Sequence, residues 1–527
     1  MSLAGILSAQ SRYVSQVWVA DNGDGTYKNP VLHADYSDPD VIRAGDSYYM
    51  VASSFNCIPG IPVLQSNDLV NWTLTGYALD RLEPEADFSK PMHGKGVWAP
   101  CIRFHGGEFY IYYPDPDQGI FMVKAKNPAG PWSKPHLVQG GKGLIDPSPL
   151  WDDDGQAYLA YAFAGSRAGI KSVLMVDRMS PDGKGLAGHP VLVFDGGKEH
   201  TTVEGPKFYK RNGWYYIFAP AGGVKTGWQL ALRSRNVFGP YEAKVVMAQG
   251  KTAINGPHQG GWVNTPSGEY WFLHFQDKEA YGRVVHLNPM RWVSDWPVIG
   301  YDPDGDGCGE PVTTWTLPKT GKPGSFSTPP ESDDFNNPVL GLQWQWHANP
   351  GLTYGFPAGN LGFFRMNCIP RPAGSVGLWQ VPNLLLQKFP AEKFTVTAKM
   401  KFRPHFDGEE AGFVVMGLDY QYIALKQTNG KKNLIVVRCK NADKSGIPET
   451  LFSPEFDREE IYIRLQVEPG ARCTFYFSSD GVAFDPAGPE FTARPGVWIG
   501  AKFGFFALRD GFINDAGSLD IDWIKVE

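Results

Sequence analysis

The chain has 527 residues, a net charge of -6, 14% aromatic residues, 61 Gly and 43 Pro. This length is too great for one ordinary domain and long enough for two cores. The charge excludes the basic surface typical of nucleic-acid-binding proteins, no apolar run is long enough to span a bilayer, and the abundance of aromatic and turn residues favours a β protein.

The N-terminal segment, Met1–Gln16, lacks the basic start and the continuous apolar stretch of an intact signal peptide. We interpret residues 1–27 as an N-terminal extension. The six Cys residues form no CxxC motif and have no regular spacing, which favours free thiols over disulfides or a zinc site. The compartment stays open, with a periplasmic or secreted protein whose signal has been removed favoured over a cytoplasmic one.

Five short aromatic runs recur in the first 310 residues, and each follows a turn residue. We predict a strand for each of these runs, which begin at Asp46, Gly107, Gly155, Gly213 and Gly268. The runs are spaced about 50 to 60 residues apart, which is roughly the period of a four-stranded propeller blade with its loops. The sequence therefore predicts a five-bladed β-propeller over residues 28–317.

Three carboxylates occupy one equivalent position in three of these repeats. Asp38 lies eight residues before the first run, and Asp146 and Glu204 lie nine residues before the third and fourth runs. Blades arranged around one axis would bring the three side chains together at that axis. Asp-Pro steps such as Asp38-Pro39 and Asp146-Pro147 also form ordinary turns, but the offset shared with Glu204 favours a functional site.

The chemistry of such a site is that of glycoside hydrolysis. One carboxyl group must be protonated to donate to the leaving oxygen, and a second must be ionised to activate water or to attack. A third, close to the acid, keeps it protonated by repulsion. The remaining two repeats have Trp98 and His258 at the equivalent position, so both should also face the axis. Trp98 is either a platform for a sugar ring or a core residue, and a buried His is usually held by hydrogen bonds.

The character of the chain changes after residues 318–332, a segment rich in Pro, Gly, Ser and Lys that is predicted to be a linker. Phe394–Met400, Ile461–Val467 and Leu519–Val526 alternate apolar with polar residues, as half-buried antiparallel strands do. Residues 333–527 are therefore predicted to form a β-sandwich of jelly-roll size. Asp302–Gly307 opens like a calcium-binding loop but has no Glu at its twelfth position, so a polar connecting loop is favoured over a surface calcium site.

Several ordered blocks resemble glycoside hydrolase family 43, and the likeness spans the propeller and continues into the sandwich. The blocks are Tyr36–Arg43, Val97–Pro100, Ile145–Pro149, Glu204–Pro206, Asn255–Gly260 and Leu342–His347. The resemblance implies an inverting enzyme in which Asp38 is the general base, Glu204 is the general acid, and Asp146 orients Glu204 and keeps it protonated. The carboxyl groups of Asp38 and Glu204 should then lie roughly 6.5–9.5 Å apart.

The resemblance also suggests residues that bind the substrate or an ion. Arg283 is expected to bind substrate, with a surface ion pair as the alternative, and Phe55 is expected to form part of the wall of the sugar subsite. His258 is expected near an axial calcium ion, usually through water. No cofactor is expected to be required for catalysis.

The activity implied by the resemblance is exo-acting release of a terminal pentose from hemicellulose oligosaccharides. The presence of the C-terminal sandwich favours β-D-xylose. In the resembling xylosidases the sandwich sends a loop over the propeller mouth, which would shape a pocket in place of an open cleft, and this favours exo over endo action. An α-L-arabinofuranosidase or a bifunctional enzyme is the near alternative, and an endo-arabinanase or a non-catalytic carbohydrate-binding propeller is less favoured. A retaining enzyme of the invertase kind would share the fold, but its Asp-Pro-Asn-Gly opening is absent. The oligomeric state stays open.

Overall fold

The computed structural model describes residues 12–322, 324–511 and 514–527. The first 11 residues of the predicted N-terminal extension, including most of the segment assessed as a signal peptide, lie outside the described residues, as does residue 323 of the predicted linker. The described chain forms five four-stranded sheets and two eight-stranded sheets, with a two-stranded ribbon. No helix in these described parts is long and apolar enough to cross a membrane.

The five four-stranded sheets are the blades of a propeller, and within each blade the strands pair antiparallel in chain order. In chain order, the strands of this region are β1 (Thr26–Lys28), β2 (Asp40–Ala44), β3 (Ser47–Val51), β4 (Gly60–Ser66), β5 (Trp72–Leu79), β6 (Cys101–His105), β7 (Glu108–Asp115), β8 (Gly119–Ala125), β9 (His136–Gly140), β10 (Leu144–Trp151), β11 (Ala157–Phe163), β12 (Val173–Met179), β13 (Val191–Asp195), β14 (Lys207–Arg211), β15 (Trp214–Ala221), β16 (Trp228–Ser234), β17 (Glu242–Met247), β18 (His258–Asn264), β19 (Tyr270–Asp277), β20 (Arg283–Val293), β21 (Trp296–Ile299) and β22 (Thr314–Thr316). The ribbon is formed by β1 and β22, which pair across the two ends of this region. The predicted five-bladed propeller is confirmed.

The aromatic runs predicted as strands form the second strand of every blade: β3, β7, β11, β15 and β19. Their large side chains fill the spaces between blades; Phe218 of β15 stacks on Phe272 of β19, for example, with ring centroids 6.0 Å apart. The first strand of each blade is innermost, and β2 contacts both β18 and β6 around the axis. A residue at the start of a first strand therefore lies at one mouth of the axial channel.

The C-terminal region is a sandwich of two antiparallel-rich sheets. Its strands are β23 (Gln345–Trp346), β24 (Gly355–Ala358), β25 (Phe363–Asn367), β26 (Ile369–Pro370), β27 (Leu385–Lys388), β28 (Phe394–Arg403), β29 (Glu410–Met416), β30 (Tyr420–Thr428), β31 (Lys431–Cys439), β32 (Glu449–Phe452), β33 (Glu460–Glu468), β34 (Arg472–Ser478), β35 (Asp485–Pro486), β36 (Phe491–Thr492), β37 (Lys502–Arg509) and β38 (Ser518–Val526). One sheet has the order β23-β27-β37-β29-β30-β31-β32, with β26 beside β37, and the other has the order β24-β25-β38-β28-β33-β34-β35, with β36 beside β34.

The sandwich core lies between these sheets, and the alternation predicted from the sequence explains it. In β28, Phe394, Val396 and Ala398 are buried while the intervening residues are partly exposed. The predicted strands at 461–467 and 519–526 correspond to β33 and β38, so the predicted β-sandwich is confirmed. Ala280 and Tyr281 of the propeller join the same apolar cluster, which makes the two regions pack against each other.

Within the part of the chain that the structure describes, helical structure is confined to single turns: α1 (Glu85–Phe88), α2 (Gly165–Ala168) and the 3-10 turns Glu279–Tyr281, Leu378–Gln380 and Ala442–Lys444. The six Cys residues are all free.

Candidate active site

The residues predicted from the repeat and from the family resemblance surround one cavity at the mouth of the axial channel. Its volume is about 710 Å³. Its lining includes Asp38, Phe55, Trp98, Asp146, Glu204, His258 and Arg283, with Gln259 and Trp498 beside them. The shared offset in the sequence thus corresponds to a shared place in the fold, at or just before the first strand of each blade.

Two of the carboxylates stand on unusual backbone. Asp38 and Asp146 have φ angles of 54° and 57°, in the left-handed region that Asp tolerates better than most residues. At Asp146 the pairing of β10 with β11 shifts register between Ile145 and Ser148. Irregularities of this kind redirect a side chain out of the regular alternation of a strand and concentrate at functional sites.

Asp38 is surrounded by hydrogen-bond donors and is only 6% exposed. Its Oδ2 accepts hydrogen bonds from Ser53 Oγ at 2.6 Å and from Ser37 Oγ at 3.1 Å. The Arg283 guanidinium donates from Nη1 to Asp38 Oδ1 at 3.0 Å and to Ser37 Oγ at 2.8 Å. These donors hold the carboxylate in one orientation toward the cavity.

Asp146 is deeply buried and contacts the segment that bears Glu204. Its Oδ2 accepts a hydrogen bond from the Gly205 backbone N–H at 2.7 Å. Burial raises the pKa of Asp146 to about 7, repulsion from Glu204 and Asp38 adds to that effect, and the Gly205 bond and the Lys207 ammonium oppose it. Asp146 is therefore coupled electrostatically to Glu204, and Asp146 retains its proton to higher pH than an exposed Asp does.

Glu204 is the most accessible of the three carboxylates, with its side chain 33% exposed. Its Oε1 lies 3.2 Å from Nε2 of His258, whose ring is buried. The other ring nitrogen of His258, Nδ1, is buried and has no hydrogen-bond partner among the described residues. His258 therefore contacts the Glu204 carboxyl group through Nε2, and its Nδ1 is a buried polar atom that could bond a further group.

Aromatic rings form the apolar wall of the cavity. The ring of Trp98 lies 6.5 Å from that of Phe55 and 6.2 Å from that of Trp498, in edge-on arrangements. Trp98 is half-buried and lines the cavity, so it is not an enclosed core residue. The loop after Phe55 is fixed by the sandwich, since Asn56 Nδ2 donates to the His347 carbonyl oxygen at 2.7 Å.

The position of Arg283 rules out the alternative of a surface ion pair, because the residue is 8% exposed and lines the cavity. Its guanidinium packs over the Phe275 ring at 4.7 Å and near the Trp498 ring at 5.7 Å. Its role in binding substrate stays a prediction.

Sequence reasoning missed the residues that support this site. Trp498 comes from the sandwich, and Ser53 and Lys207 belong to the propeller. A strand-repeat pattern has no signal for Trp498, because the residue belongs to another domain. Lys207 follows the Glu204-Gly-Pro block directly, and its complete burial is a property of the blade packing alone.

The acidic loop between β21 and β22 lies apart from the lining of this cavity. Carboxylate oxygens of Asp302, Asp304 and Asp306 lie within 4.8 Å of one another, and this is the only such group of metal-ligating side chains among the described residues. Two positively charged side chains contact the loop. Arg291 Nη2 donates to Asp302 Oδ2 at 3.0 Å, and Lys244 Nζ donates to the Asp306 carbonyl oxygen at 3.2 Å. The loop connects strands, as expected, and its occupation by calcium stays untested.

Comparison with known proteins finds a matching family model for the propeller and another for the sandwich. Residues 27–297 match the family described as Glycosyl hydrolases family 43, and residues 332–527 match the Beta xylosidase C-terminal Concanavalin A-like domain. The chain is 41% identical to a putative beta-xylosidase of Xylanibacter ruminicola over 493 residues, which cover 92% of this chain and 86% of that protein. It is 30% identical to a non-reducing end alpha-L-arabinofuranosidase of Bacteroides ovatus over 441 residues, covering 80% and 79% of the two chains.

Among solved structures, a family 43 protein of Bacillus licheniformis superposes with a TM-score of 0.83 and 26% identity, covering 95% of this chain and 99% of that one. The similarity thus extends over the propeller and the sandwich together. The chain belongs to glycoside hydrolase family 43.

Proposed function

We propose that this glycoside hydrolase removes terminal β-D-xylose from the non-reducing ends of hemicellulose oligosaccharides, with inversion at the anomeric carbon. The observation that carries the proposal is the cavity itself, in which three carboxylates from three blades meet an aromatic wall that is completed by Trp498 of the sandwich. The xylosidase name of the 41% identical relative supports the choice of sugar.

In this mechanism Asp38 is the general base. Ser53, Ser37 and Arg283 supply donors to its carboxylate, so an oxygen of Asp38 is oriented to accept a proton from water. The water oxygen bonds to the anomeric carbon from one face as the glycosidic C–O bond breaks on the other. The predicted separation of roughly 6.5–9.5 Å between the base and the acid leaves room for this water.

Glu204 is the general acid in the proposal. Its exposed position lets it reach the leaving oxygen, to which it donates a proton as the glycosidic bond breaks. Asp146 holds the backbone after Glu204 through Gly205, and His258 contacts the Glu204 carboxyl group from the other side. The net reaction consumes one water and leaves one new hydroxyl on each product.

Exo action follows from the form of the cavity. Phe55 and Trp98 border it on the propeller side, and Trp498 projects from the sandwich beside them. We infer that this wall admits the end of a chain and not its middle. Arg283, which reaches the same cavity, is then placed to donate hydrogen bonds to hydroxyl groups of the terminal sugar.

An α-L-arabinofuranosidase, or an enzyme that acts on both sugars, is the second candidate. The relative from Bacteroides ovatus supports it, because that protein is named for arabinofuranoside hydrolysis. The two pentoses present similar hydroxyl groups to a small pocket.

The mechanism uses only side chains of this chain, and we propose that no cofactor takes part in it. An axial calcium ion stays a prediction, in which His258 Nδ1 would hold a water molecule of the ion's hydration shell. When bound, such an ion would supply positive charge to the site.

The test compares initial rates on p-nitrophenyl β-D-xylopyranoside, p-nitrophenyl α-L-arabinofuranoside and xylobiose. Glu204→Ala should reduce hydrolysis of xylobiose by about a thousandfold and that of the nitrophenyl sugar much less, since nitrophenolate leaves without a proton. Asp38→Ala should abolish both activities, and the exposed Glu199→Ala should change neither. Proton NMR of the first xylose released should show the α anomer. Absence of activity on both nitrophenyl pentosides, or release of β-xylose, would overturn the proposal.

A further inference from the structure

The turn that precedes Arg283 is attached to the sandwich. Ala280 accepts a hydrogen bond on its carbonyl oxygen from the Ala501 N–H at 2.8 Å, and the Tyr281 hydroxyl accepts one from the Ala471 N–H at 2.8 Å. Trp498 lies three residues before Ala501. Two elements of the cavity, Arg283 and Trp498, thus stand next to one interdomain contact.

Asp35 connects the two segments of the chain that meet at this contact, the propeller strand that begins at Arg283 and the sandwich loop that contains Gly500. Its Oδ1 accepts a hydrogen bond from the Arg283 backbone N–H at 2.9 Å, and its Oδ2 accepts one from the Gly500 backbone N–H at 3.0 Å. Asp35 is 5% exposed. Both carboxylate oxygens are therefore used, one toward the propeller strand and one toward the sandwich loop.

The backbone packs so closely around this carboxylate that only glycine fits. A Cβ on Gly282, which has a φ of +77°, would lie 2.5 Å from the Asp35 side chain. A Cβ on Gly500 would lie 2.7 Å from the Gly282 nitrogen. The fit brings the backbones of Gly282 and Gly500 together on the Asp35 carboxylate, so a change in the carboxylate is transmitted to both segments.

We propose that Asp35 is a positioning residue that fastens the sandwich loop bearing Trp498 to the strand bearing Arg283, and so sets the dimensions of the sugar pocket. The inference rests on the proposed function for its kinetic consequences. Asp35 is not among the residues that line the cavity, and it acts through Arg283 and Trp498, whose guanidinium and ring lie 5.7 Å apart. Its position three residues before Asp38 places it on the same segment as the proposed base.

The decisive variant is Asp35→Asn, which preserves shape but presents an NH2 group to one of the two amide donors. The KM for p-nitrophenyl β-D-xyloside is expected to rise about tenfold, the effect of losing one hydrogen bond to a charged acceptor. The kcat should stay within about threefold, because Asp38, Asp146 and Glu204 are untouched. The matched control is Asp152→Asn, a buried carboxylate that bonds Lys210 and Tyr215 outside the cavity, and its KM should not change.

A double-mutant cycle separates positioning from general destabilisation. Trp498→Ala should raise the KM, and the combination with Asp35→Asn should raise it no further than the larger single effect, since both changes remove the same wall. Independent effects that multiply, or an unchanged KM in Asp35→Asn, would overturn the proposal.

Amide hydrogen exchange gives a readout that needs no substrate. In the wild type the Gly500 amide should be protected, and in Asp35→Asn it should exchange at least about tenfold faster. Exchange of Gly500 in the wild type at the rate of an unstructured peptide would overturn the proposal, even where the variant does not fold. Wild-type inactivity on pentosides, by contrast, would overturn the proposed function and leave the exchange experiment to decide the role of Asp35.

Discussion

The Gly205 backbone N–H donates to Asp146 Oδ2 at 2.7 Å. Gly205 directly follows Glu204, so the Asp146 carboxylate fixes the backbone beside Glu204. The contact crosses from the third blade to the fourth and brings the buried Asp146 carboxyl group close to the more exposed one of Glu204. Its electrostatic consequence is the pKa of about 7 at Asp146, caused first by burial and then by Glu204. Positioning and proton retention are therefore two results of one arrangement.

Replacing Asp146 by Asn should alter the pH dependence of stability. Between about pH 4 and pH 7 the folded protein keeps a proton on Asp146 that the unfolded chain has released, so the wild type loses stability as pH rises through this range. Asp146→Asn removes that loss and should be more stable than the wild type at pH 8, by on the order of a few kcal/mol, with little difference at pH 3. Thermal unfolding across this range measures the difference.

Asp152→Asn is the control with the opposite sign. Burial raises the pKa of Asp152, but the hydrogen bonds from Lys210 and Tyr215 outweigh burial and lower it overall. The stability from this carboxylate is present above its unfolded pKa and is lost as pH falls, so Asp152→Asn should destabilise the protein most at pH 8. If Asp146→Asn and Asp152→Asn changed the stability at pH 8 in the same direction, the charges assigned to the two carboxyl groups would be contradicted.

Two adjacent serines should separate catalysis from folding. Ser53 Oγ donates to Asp38 Oδ2 at 2.6 Å, whereas Ser54 Oγ accepts from the Ile61 backbone N–H at 3.1 Å. Ser53→Ala should lower kcat about tenfold, because the proposed base loses a short hydrogen bond. Ser54→Ala should lower the melting temperature and leave kcat within about twofold. Equal effects of the two changes on kcat would contradict the role of Ser53.

Arg283 should not be replaceable by lysine. One guanidinium nitrogen, Nη1, donates to both Ser37 and Asp38 while the planar group packs over the Phe275 ring at 4.7 Å, and a lysine ammonium has no plane to stack on that ring. Arg283→Lys is expected to lower kcat/KM about a hundredfold on the nitrophenyl xyloside. The control is Arg291→Lys, since Arg291 pairs with Asp302 at the surface loop and should tolerate the change. A wild-type kcat/KM in Arg283→Lys would remove Arg283 from the site.

His274 should make the fold sensitive to acid. It is completely buried, and burial lowers its pKa to about 4, so the folded protein keeps the ring neutral while the unfolded chain binds a proton below about pH 6.5. Stability from this residue is lost as pH falls from about 6.5 to about 4, by roughly 3 kcal/mol. His274→Gln should reduce the slope of unfolding free energy in that window, and the exposed His136→Gln should not. Urea unfolding at pH 7, 5.5 and 4.5 measures both slopes.

Much of the fold was predictable because its signals are local. The aromatic run at Gly213 became β15 and the alternating segment at Phe394 became β28, since the period of a strand in the sequence is the period of its two faces. The equivalence of Asp38, Asp146 and Glu204 was also predictable, because equivalent residues of successive blades lie at the same distance from the propeller axis and at the same height along it.

The partners of those residues were not predictable in the same way. Asp35 and Gly500 are separated by 465 positions, yet they form one hydrogen bond. The contact of Ser53 was not predictable, because its hydroxyl reaches Asp38 only through the way the chain continues after β3 in the folded blade. Such contacts depend on how the strands and loops pack in the tertiary structure, and the periodicity of side chains in the sequence does not predict that packing.

By itself, the sequence determined the five-bladed propeller, the sandwich that follows it and the three carboxylates that meet at the axis, because strand period and blade repeat are written residue by residue along the chain. Only the tertiary structure decided that Trp498 completes the pocket wall, that Asp35 fastens its loop to the Arg283 strand, and that Asp146 keeps its proton to about pH 7. The first two features arise because the sandwich packs against the propeller, and the third arises because Asp146 is buried close to Glu204. Each depends on which residues lie close together in the folded protein.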